Sequence, residues 1–555
     1  MRSGQVGVRF LAAALVVVAT AAALRLWALD FGLPHLMTRP DEEVILVQTR
    51  SPATGTFDLA YGIYPSAYIF LSWGFGELVH AAARLVGLHP PIDYAGAIDT
   101  MPWRVLVLLR LLSALAGIAA VAWLIRITRR ELGGCAALIA GTLLAVSLIH
   151  VRDSHAAKPD VLMSLGVVAA LGTMAPLGRG AGRGRAVATG VVIGLAMGMK
   201  YPAVLLLVPA WVLCMVGSPQ NGWRRLVPAH GFVVVAAAAV AFLVTSPDLL
   251  LNPETRRKVL SIVVLVFPRA FPDVESPAAA IPAMLSGPEG FRHSQSALDG
   301  WRYYYGFALR YGMGLGAAAL VPPALAWGFL ARRPLALASA IFVTLSFVLF
   351  GISPALLSRY LTPLVPALAI LLAGSVTAAI RRLGWQRPAL LLALVTVVLA
   401  AEPLWRSIEH DRLLGQTDTR VLATEWLRAH LPPQQRVAMA GTVFWGWGEP
   451  AVPPGHAVVR VPLDAAALDD AGVGWIVAHD HPLFSSRLAP AALERLEGRL
   501  VLRAAFDPFR GERDQAVYDA QDAYYAPLGG FDVVERPGPS VRIYQLEPPP
   551  RARLP

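Results

Sequence analysis

Ionisable residues at the ends of this chain's apolar runs gather in four short clusters. They are Arg39-Pro40-Asp41-Glu42-Glu43; His150-Val151-Arg152-Asp153-Ser154-His155 with Lys158-Pro159-Asp160; Lys200-Tyr201; and Ser358-Arg359-Tyr360. Carboxylates such as Asp41, Glu42, Asp153 and Asp160 can take a proton from a reacting hydroxyl. Lysine and arginine can hold an anion through charge-assisted hydrogen bonds. An imidazole beside carboxylates is a donor set for a divalent metal, which makes His155 with Asp41 and Asp160 a candidate metal site if the three converge. His150 and His155 are five apart and do not share one helical face. The chain has three lysines against forty-five arginines, and Lys158 and Lys200 both fall in the clusters. In so arginine-biased a chain, a retained lysine points to a need for a compact ammonium.

Each cluster has a plainer reading. Asp41-Glu42-Glu43 after Pro40 suits the acidic first turn of a helix. Lys200 suits a helix end, and Arg359-Tyr360 an interfacial anchor. Tyr303-Tyr304-Tyr305 and Trp301 read as an aromatic belt. Phe444-Trp445-Gly446-Trp447 reads as core packing before it reads as a platform for a sugar ring.

The elements that must position these residues are membrane helices. Apolar residues make up 56% of the 555-residue chain, charged residues 15%, and the mean hydropathy is +0.54. Soluble domains average about 25% charge, so a soluble globular protein is excluded, as is a disordered chain. Two cysteines, Cys135 and Cys214, exclude a disulfide scaffold, and both are expected to be buried thiols. Eleven apolar runs read as spans: 9–29, 104–125, 133–150, 161–177, 187–199, 202–217, 230–246, 308–330, 335–352, 361–379 and 389–405. Pro202 breaks the fifth run from the sixth. With a cytoplasmic N-terminus, every inner loop is arginine-rich, from Arg126-Arg129-Arg130 to Arg381-Arg382-Arg387, which fixes the orientation. This also accounts for much of the net charge of +11 without nucleic acid. All four clusters then face outward. Outer loops are expected at about 30–103 and 247–307, with the aromatic stretch Tyr64–Trp73 lying at the interface. Segment 406–547 reads as a small α/β domain outside the membrane, with a helix at 418–430, another at 489–498, and strands at Arg436–Ala440, Trp475–Ala478, Leu500–Ala505 and Val541–Leu546. The tail 548–555 reads as disordered.

The chain resembles the GT-C glycosyltransferases, and among them the bacterial family 39 enzymes related to protein O-mannosyltransferases and the lipid A aminoarabinose transferase. Four features carry the resemblance over roughly residues 8–405. They are Pro40-Asp41-Glu42 after the first span, Arg152 to Asp160 after the third, Gly198-Met199-Lys200-Tyr201-Pro202, and Arg359-Tyr360-Leu361-Thr362-Pro363-Leu364-Val365-Pro366. The resemblance implies a GT-C-like membrane domain over 1–405 in the plasma membrane and a polyprenyl-phosphate sugar used on the extracytoplasmic side. It implies Asp41 as base or acceptor-positioning carboxylate, with Glu42 beside it, and a second acid at Asp160 or Asp153. It implies Lys200 and Arg359 at the lipid phosphate, with Tyr360 and Lys158 near them. The acceptor is left open among protein, lipid and polysaccharide.

Elementary chemistry runs in the same direction. A lipid-linked sugar keeps its chain in the bilayer and its phosphate at headgroup depth, so its enzyme needs polar residues at span ends on one side. The acceptor hydroxyl needs a base, the departing phosphate needs cations, and one displacement inverts the anomeric centre. The alternative is a transporter or flippase of a lipid-linked saccharide, which predicts mid-membrane charges and repeated halves; few such charges and no repeat are found. A scaffold without catalysis leaves the one-sided clusters unexplained. Reporter fusions after Arg130, Arg185 and Arg387 should score cytoplasmic and one after Leu414 external. An external score at Arg185 contradicts the eleven-span topology.

Overall fold

The computed structural model describes residues 2–547 except 57–58, 60–63, 258–296, 354–355, 385, 442–445, 490, 497, 521 and 523. Most of the outer loop at 247–307, Phe444 and Trp445, and the tail at 548–555 thus lie outside the described residues. The chain forms two compact units. One joins Met1–Leu29 to Val44–Ile408; the other joins Asp30–Glu43 to Glu409–Pro555. The stretch read from sequence as one outer loop, 30–103, is therefore divided at Glu43.

The first unit is helical, and its chain is a polytopic membrane protein. Among the described residues, seven segments are long and apolar enough to cross a membrane: Gly7–Leu26, Pro102–Leu132, Pro159–Arg179, Gly222–Thr245, Pro334–Ile352, Ser358–Arg382 and Pro388–His430. An eighth is a bent pair, Gly134–Val146 with Leu148–Ser154, at 57°. Tyr201–Val216 and Leu315–Leu330 are apolar but shorter. The helices used below are α1 (Arg2–Leu26), α2 (Glu42–Ala53), α3 (Pro102–Leu132), α4 (Gly134–Val146), α5 (Leu148–Ser154), α6 (Pro159–Met174), α7 (Arg183–Met199), α8 (Ala229–Thr245) and α9 (Thr419–His430). Helices α3 and α6 open with proline in the first turn, where its missing N–H costs nothing. Helices α7 and α8 approach closely because α7 presents glycine. A Cβ on Gly190 or Gly194 would stand 2.4 Å from the carbonyl oxygen of Val234 or Ala238. Cys214 is buried as expected, but Cys135 is exposed. An apolar run in a membrane helix can face lipid, so apolarity alone does not imply a buried thiol.

The second unit holds a five-stranded sheet in the order β2-β1-β3-β5-β4. Its strands are β1 (Arg436–Ala440), β2 (Ala457–Val459), β3 (Trp475–Asp480), β4 (Leu500–Phe506) and β5 (Ser540–Leu546). Strand β1 pairs in parallel with β2 and β3; β5 runs antiparallel to β3 and β4. Alternation along β1 and β3 sends Val437, Met439, Trp475 and Val477 to one face, under Ala423 and Leu427 of α9. Ala438, Ala440, Ile476 and Ala478 go to the other, with Leu468 and Leu496. Strand β2 has three residues and was not anticipated; of the helix expected at 489–498, Ala491–Glu494 is described.

His479 and His481 sit at the end of β3, fully buried. Burial, the largest influence, holds the His479 imidazole down to about 4, with Glu449 and Asp480 pulling up and Arg420 and Arg460 pushing down. Burial, then Arg420 and Arg513, hold His481 down to about 3. Unfolded histidine titrates near pH ~6.5, so below that pH the unfolded chain binds more protons than the folded one. The stability these groups contribute is therefore full above pH ~6.5 and lost as the pH falls toward the folded values. Thermal melting of the full chain followed at the C-terminal unit should drop between pH 6.5 and 4, and less steeply in His479→Leu. A pH-independent midpoint across that window contradicts the buried neutral pair.

Candidate active site

In the first unit the break between α4 and α5 sets the site. The helix stops at Val146, and Ser147 takes extended angles (φ −62°, ψ 115°) before α5 begins. Helix α5 carries Arg152 and Asp153, both buried. The Arg152 guanidinium donates to Asp153 Oδ1 through Nε at 3.0 Å and approaches it through Nη2 at 2.9 Å. Thr362 Oγ1 donates to Asp153 Oδ2 at 2.5 Å. Thr362 belongs to a short 3-10 helix, Ser358–Leu364, that also carries Arg359 and Tyr360.

Asp160 stands in the first turn of α6, where a carboxylate complements the helix dipole. Lys200 caps the end of α7 in extended conformation, and its Nζ meets Asp160 Oδ1 at 2.5 Å. The same Nζ lies 5.2 Å from the centre of the Tyr360 ring. The Asp160 side chain is 2% exposed and that of Lys200 13%. An ammonium has three donors, so Lys200 can hold Asp160 and still offer donors on its open side. The second, third and fourth sequence clusters thus meet in one place, Asp153 and Asp160 through Thr362, Lys200 and Tyr360. Lys158 is buried just before α6, and Arg359 is half-buried. His155 has its Nδ1 2.9 Å from the Val151 carbonyl and its Nε2 2.9 Å from that of Trp27. Thr362, and the buried residues Arg25 and Ser164 that contact this region, carried no role in the sequence reading. The available signal was a charge, Arg25, inside the first apolar run.

In the second unit, the first cluster forms a tight turn. The Glu42 N–H donates to the Arg39 carbonyl at 3.3 Å, Pro40 occupies the first corner, and Asp41 takes φ +73°. Proline followed by a positive φ is the pattern of a type II turn, whose second corner favours glycine or asparagine. Aspartate there is tolerated at some strain. The turn is tied down on both sides. Arg39 Nη2 donates to Asp522 Oδ2 at 2.7 Å, with its guanidinium 4.7 Å from the Tyr524 ring centre. Trp447 Nε1 donates to Glu43 Oε1 at 3.3 Å. Glu42 is buried and opens α2. Asp41 therefore lies in one unit, and His155 and Asp160 in the other.

Residues 105–250 match the family described as dolichyl-phosphate-mannose-protein mannosyltransferase. That stretch contains Asp153, Lys158, Asp160 and Lys200, and the match accords with the resemblance to GT-C membrane glycosyltransferases. A search of curated proteins finds no significant match. Among solved structures, the chain is similar to ArnT from Cupriavidus metallidurans bound to undecaprenyl phosphate, with TM-score 0.48 and 18% identity over 99% of this chain and 100% of that one. It is similar to the apo oligosaccharyltransferase of Archaeoglobus fulgidus, with TM-score 0.48 and 12% identity over 85% of this chain and 69% of that one. It is also similar to the Pmt1–Pmt2 protein O-mannosyltransferase complex of S. cerevisiae bound to the sugar donor, with TM-score 0.32 and 17% identity over 44% and 34%.

Removing one partner of a buried pair leaves a charge stranded. Lys200→Met should therefore destabilise the protein by about 3–5 kcal/mol, and much less in an Asp160→Asn background. Unfolding of the single and double variants in detergent measures the coupling; a coupling below about 0.5 kcal/mol contradicts the pair.

Proposed function

We propose that this chain transfers a sugar, hexosyl or pentosyl, from a polyprenyl-phosphate donor to a hydroxyl of a protein, lipid or polysaccharide acceptor. The reaction takes place on the extracytoplasmic face of the plasma membrane. The observation that carries this reading is the meeting of distant clusters. Asp160 and Lys200 are 40 residues apart and Asp153 and Thr362 are 209 apart, yet each pair is in hydrogen-bond contact. Charges are costly in a membrane protein and mark function when they gather. The family match over 105–250 lends support by enclosing most of them.

In this reading eleven spans put the N-terminus in the cytoplasm and the α/β domain, 406–547, outside. The acceptor oxygen attacks the anomeric carbon while the bond from that carbon to the phosphate oxygen breaks. The phosphate leaves with the electron pair, held by Lys200 and Arg359, with Tyr360 and Lys158 completing the cationic and aromatic surround. The hydroxyl proton passes to the Asp41 carboxylate. Glu42 orients Asp41, and Asp160, with Asp153 next, supplies the second acid and fixes Lys200. One displacement inverts the anomeric centre. No step is assigned to a metal. His155, the imidazole of the candidate set with Asp41 and Asp160, turns both ring nitrogens toward backbone carbonyl oxygens. The partners are the lipid-linked donor, its acceptor and membrane lipid; the basic balance is assigned to inner loops, not to nucleic acid.

Asparagine accepts positive φ at least as readily as aspartate does, so Asp41→Asn should keep the turn while removing the base. Single-turnover transfer by this variant should fall about 10²–10⁴-fold, with donor binding unchanged, and Glu42→Gln should lose less. Near-normal transfer by Asp41→Asn refutes Asp41 as the base and moves the assignment to Asp160.

A further inference from the structure

Arg25 is the last basic residue of α1 and is fully buried in the helical unit. Its Nη1 donates to the Ala145 carbonyl at 2.9 Å and to that of Ala21 at 3.2 Å. Its Nη2 donates to the Leu144 carbonyl at 3.0 Å. Leu144 and Ala145 end α4, where the break at Ser147 leaves carbonyls without an intrahelical partner. The guanidinium therefore serves as the cap that α4 lacks.

Nη2 also lies 3.1 Å from His150 Nδ1 on α5. Arginine only donates, so His150 Nδ1 must accept, and the imidazole carries its proton on Nε2. That Nε2 faces Ser164 Oγ on α6 at 2.9 Å. The His150 carbonyl in turn accepts from Ser154 Oγ at 2.6 Å. A single guanidinium thus ties α1 to the end of α4, to α5 and, through one imidazole of fixed tautomer, to α6. Helix α5 carries Asp153, and Ser164 stands one turn after Asp160. Helix α3 leaves room for the clamp with a glycine. A Cβ on Gly117 would lie 2.8 Å from Arg25 Nε and 2.7 Å from Ser154 Oγ.

We propose that Arg25, acting through His150, is a positioning residue. It holds the α4–α5 break and thereby sets Asp153 and Asp160 against Thr362 and Lys200. Its bonds to the end of α4 and to His150 fix the helices that carry both carboxylates. A residue serving bulk stability alone would need neither the tautomer nor the link across to α6. This inference rests on the proposed transfer reaction for its kinetic consequence, but its structural half does not.

Two measurements test it on the full chain in detergent. The first is ¹⁵N NMR of the His150 ring in protein labelled at histidine. Wild type should show a protonated Nε2 and an unprotonated Nδ1, and Arg25→Met should lose that fixed pattern. A protonated Nδ1 in wild type overturns the clamp whatever the activity. The second is sugar transfer by Arg25→Lys, which keeps the charge but cannot reach both α4 carbonyls and the imidazole together, and by Gly117→Ala, which crowds the clamp. Each should lower kcat about 10- to 100-fold, with KM for the donor within about threefold, in line with the cost of misplacing catalytic groups. Either substitution should cost no more than about threefold further in Asp153→Asn, since groups that act as a unit are not additive. Losses that multiply independently of Asp153→Asn, or a lower melting temperature with kcat unchanged, overturn the positioning role. A wild type that transfers no sugar but shows the expected tautomer refutes the transfer reaction and leaves the clamp standing.

Discussion

A charge removed from water must be partnered, and in a membrane protein the partner has to come from the protein itself. That constraint organises the helical unit. Asp153 is buried and is answered by Arg152 on its own helix and Thr362 from a distant one. Asp160 is buried and is answered by Lys200. Partnering both carboxylates brings together α5 with the 3-10 helix at Ser358–Leu364 and α6 with the end of α7. A buried ion pair is weak evidence for stability, since an apolar substitute often does as well. The retention of two such pairs beside breaks in apolar helices is better explained by what the polar groups do.

Breaks in the helices are what make such groups available. A continuous helix consumes its own carbonyls and N–H groups, and its side chains point to lipid or to neighbours. At Ser147, at Lys200 and at Ser358 the chain leaves regular α-helical geometry. Each break frees backbone groups and turns a side chain inward, which bilayers tolerate only where protein supplies the partners. The Arg25 guanidinium on the end of α4 is one such supply.

Much of this was legible beforehand because the signals were local. Apolar length marks the membrane helices, and short apolar runs pick out strands at Arg436–Ala440 and Trp475–Ala478, the second of which continues to Asp480. The clusters around Asp153, Asp160, Lys200 and Tyr360 stood out because charge is rare in apolar runs. Three features were not legible, for physical reasons. The grouping of Asp30–Glu43 with the C-terminal unit depends on contacts such as Arg39 with Asp522, 483 residues away, which leave no periodicity. Thr362 is an ordinary residue until it meets a carboxylate. The left-handed Asp41 is hidden because Pro40-Asp41 fits a helix start as well as a type II turn. That last case breaks a local rule, since glycine or asparagine would sit there with less strain. Rules broken without local benefit tend to mark functional positions.

The central proposal is that the polar clusters serve glycosyl transfer from a lipid phosphate. The most direct measurement incubates the purified chain with a radiolabelled polyprenyl-phosphate sugar and a hydroxyl acceptor, in detergent and in sealed vesicles. Free polyprenyl phosphate and the anomeric configuration of the product are then determined. The account predicts release of polyprenyl phosphate matched by sugar on the acceptor, with the anomeric centre inverted. Movement of intact donor across the vesicle membrane, with neither release nor transfer, would contradict it.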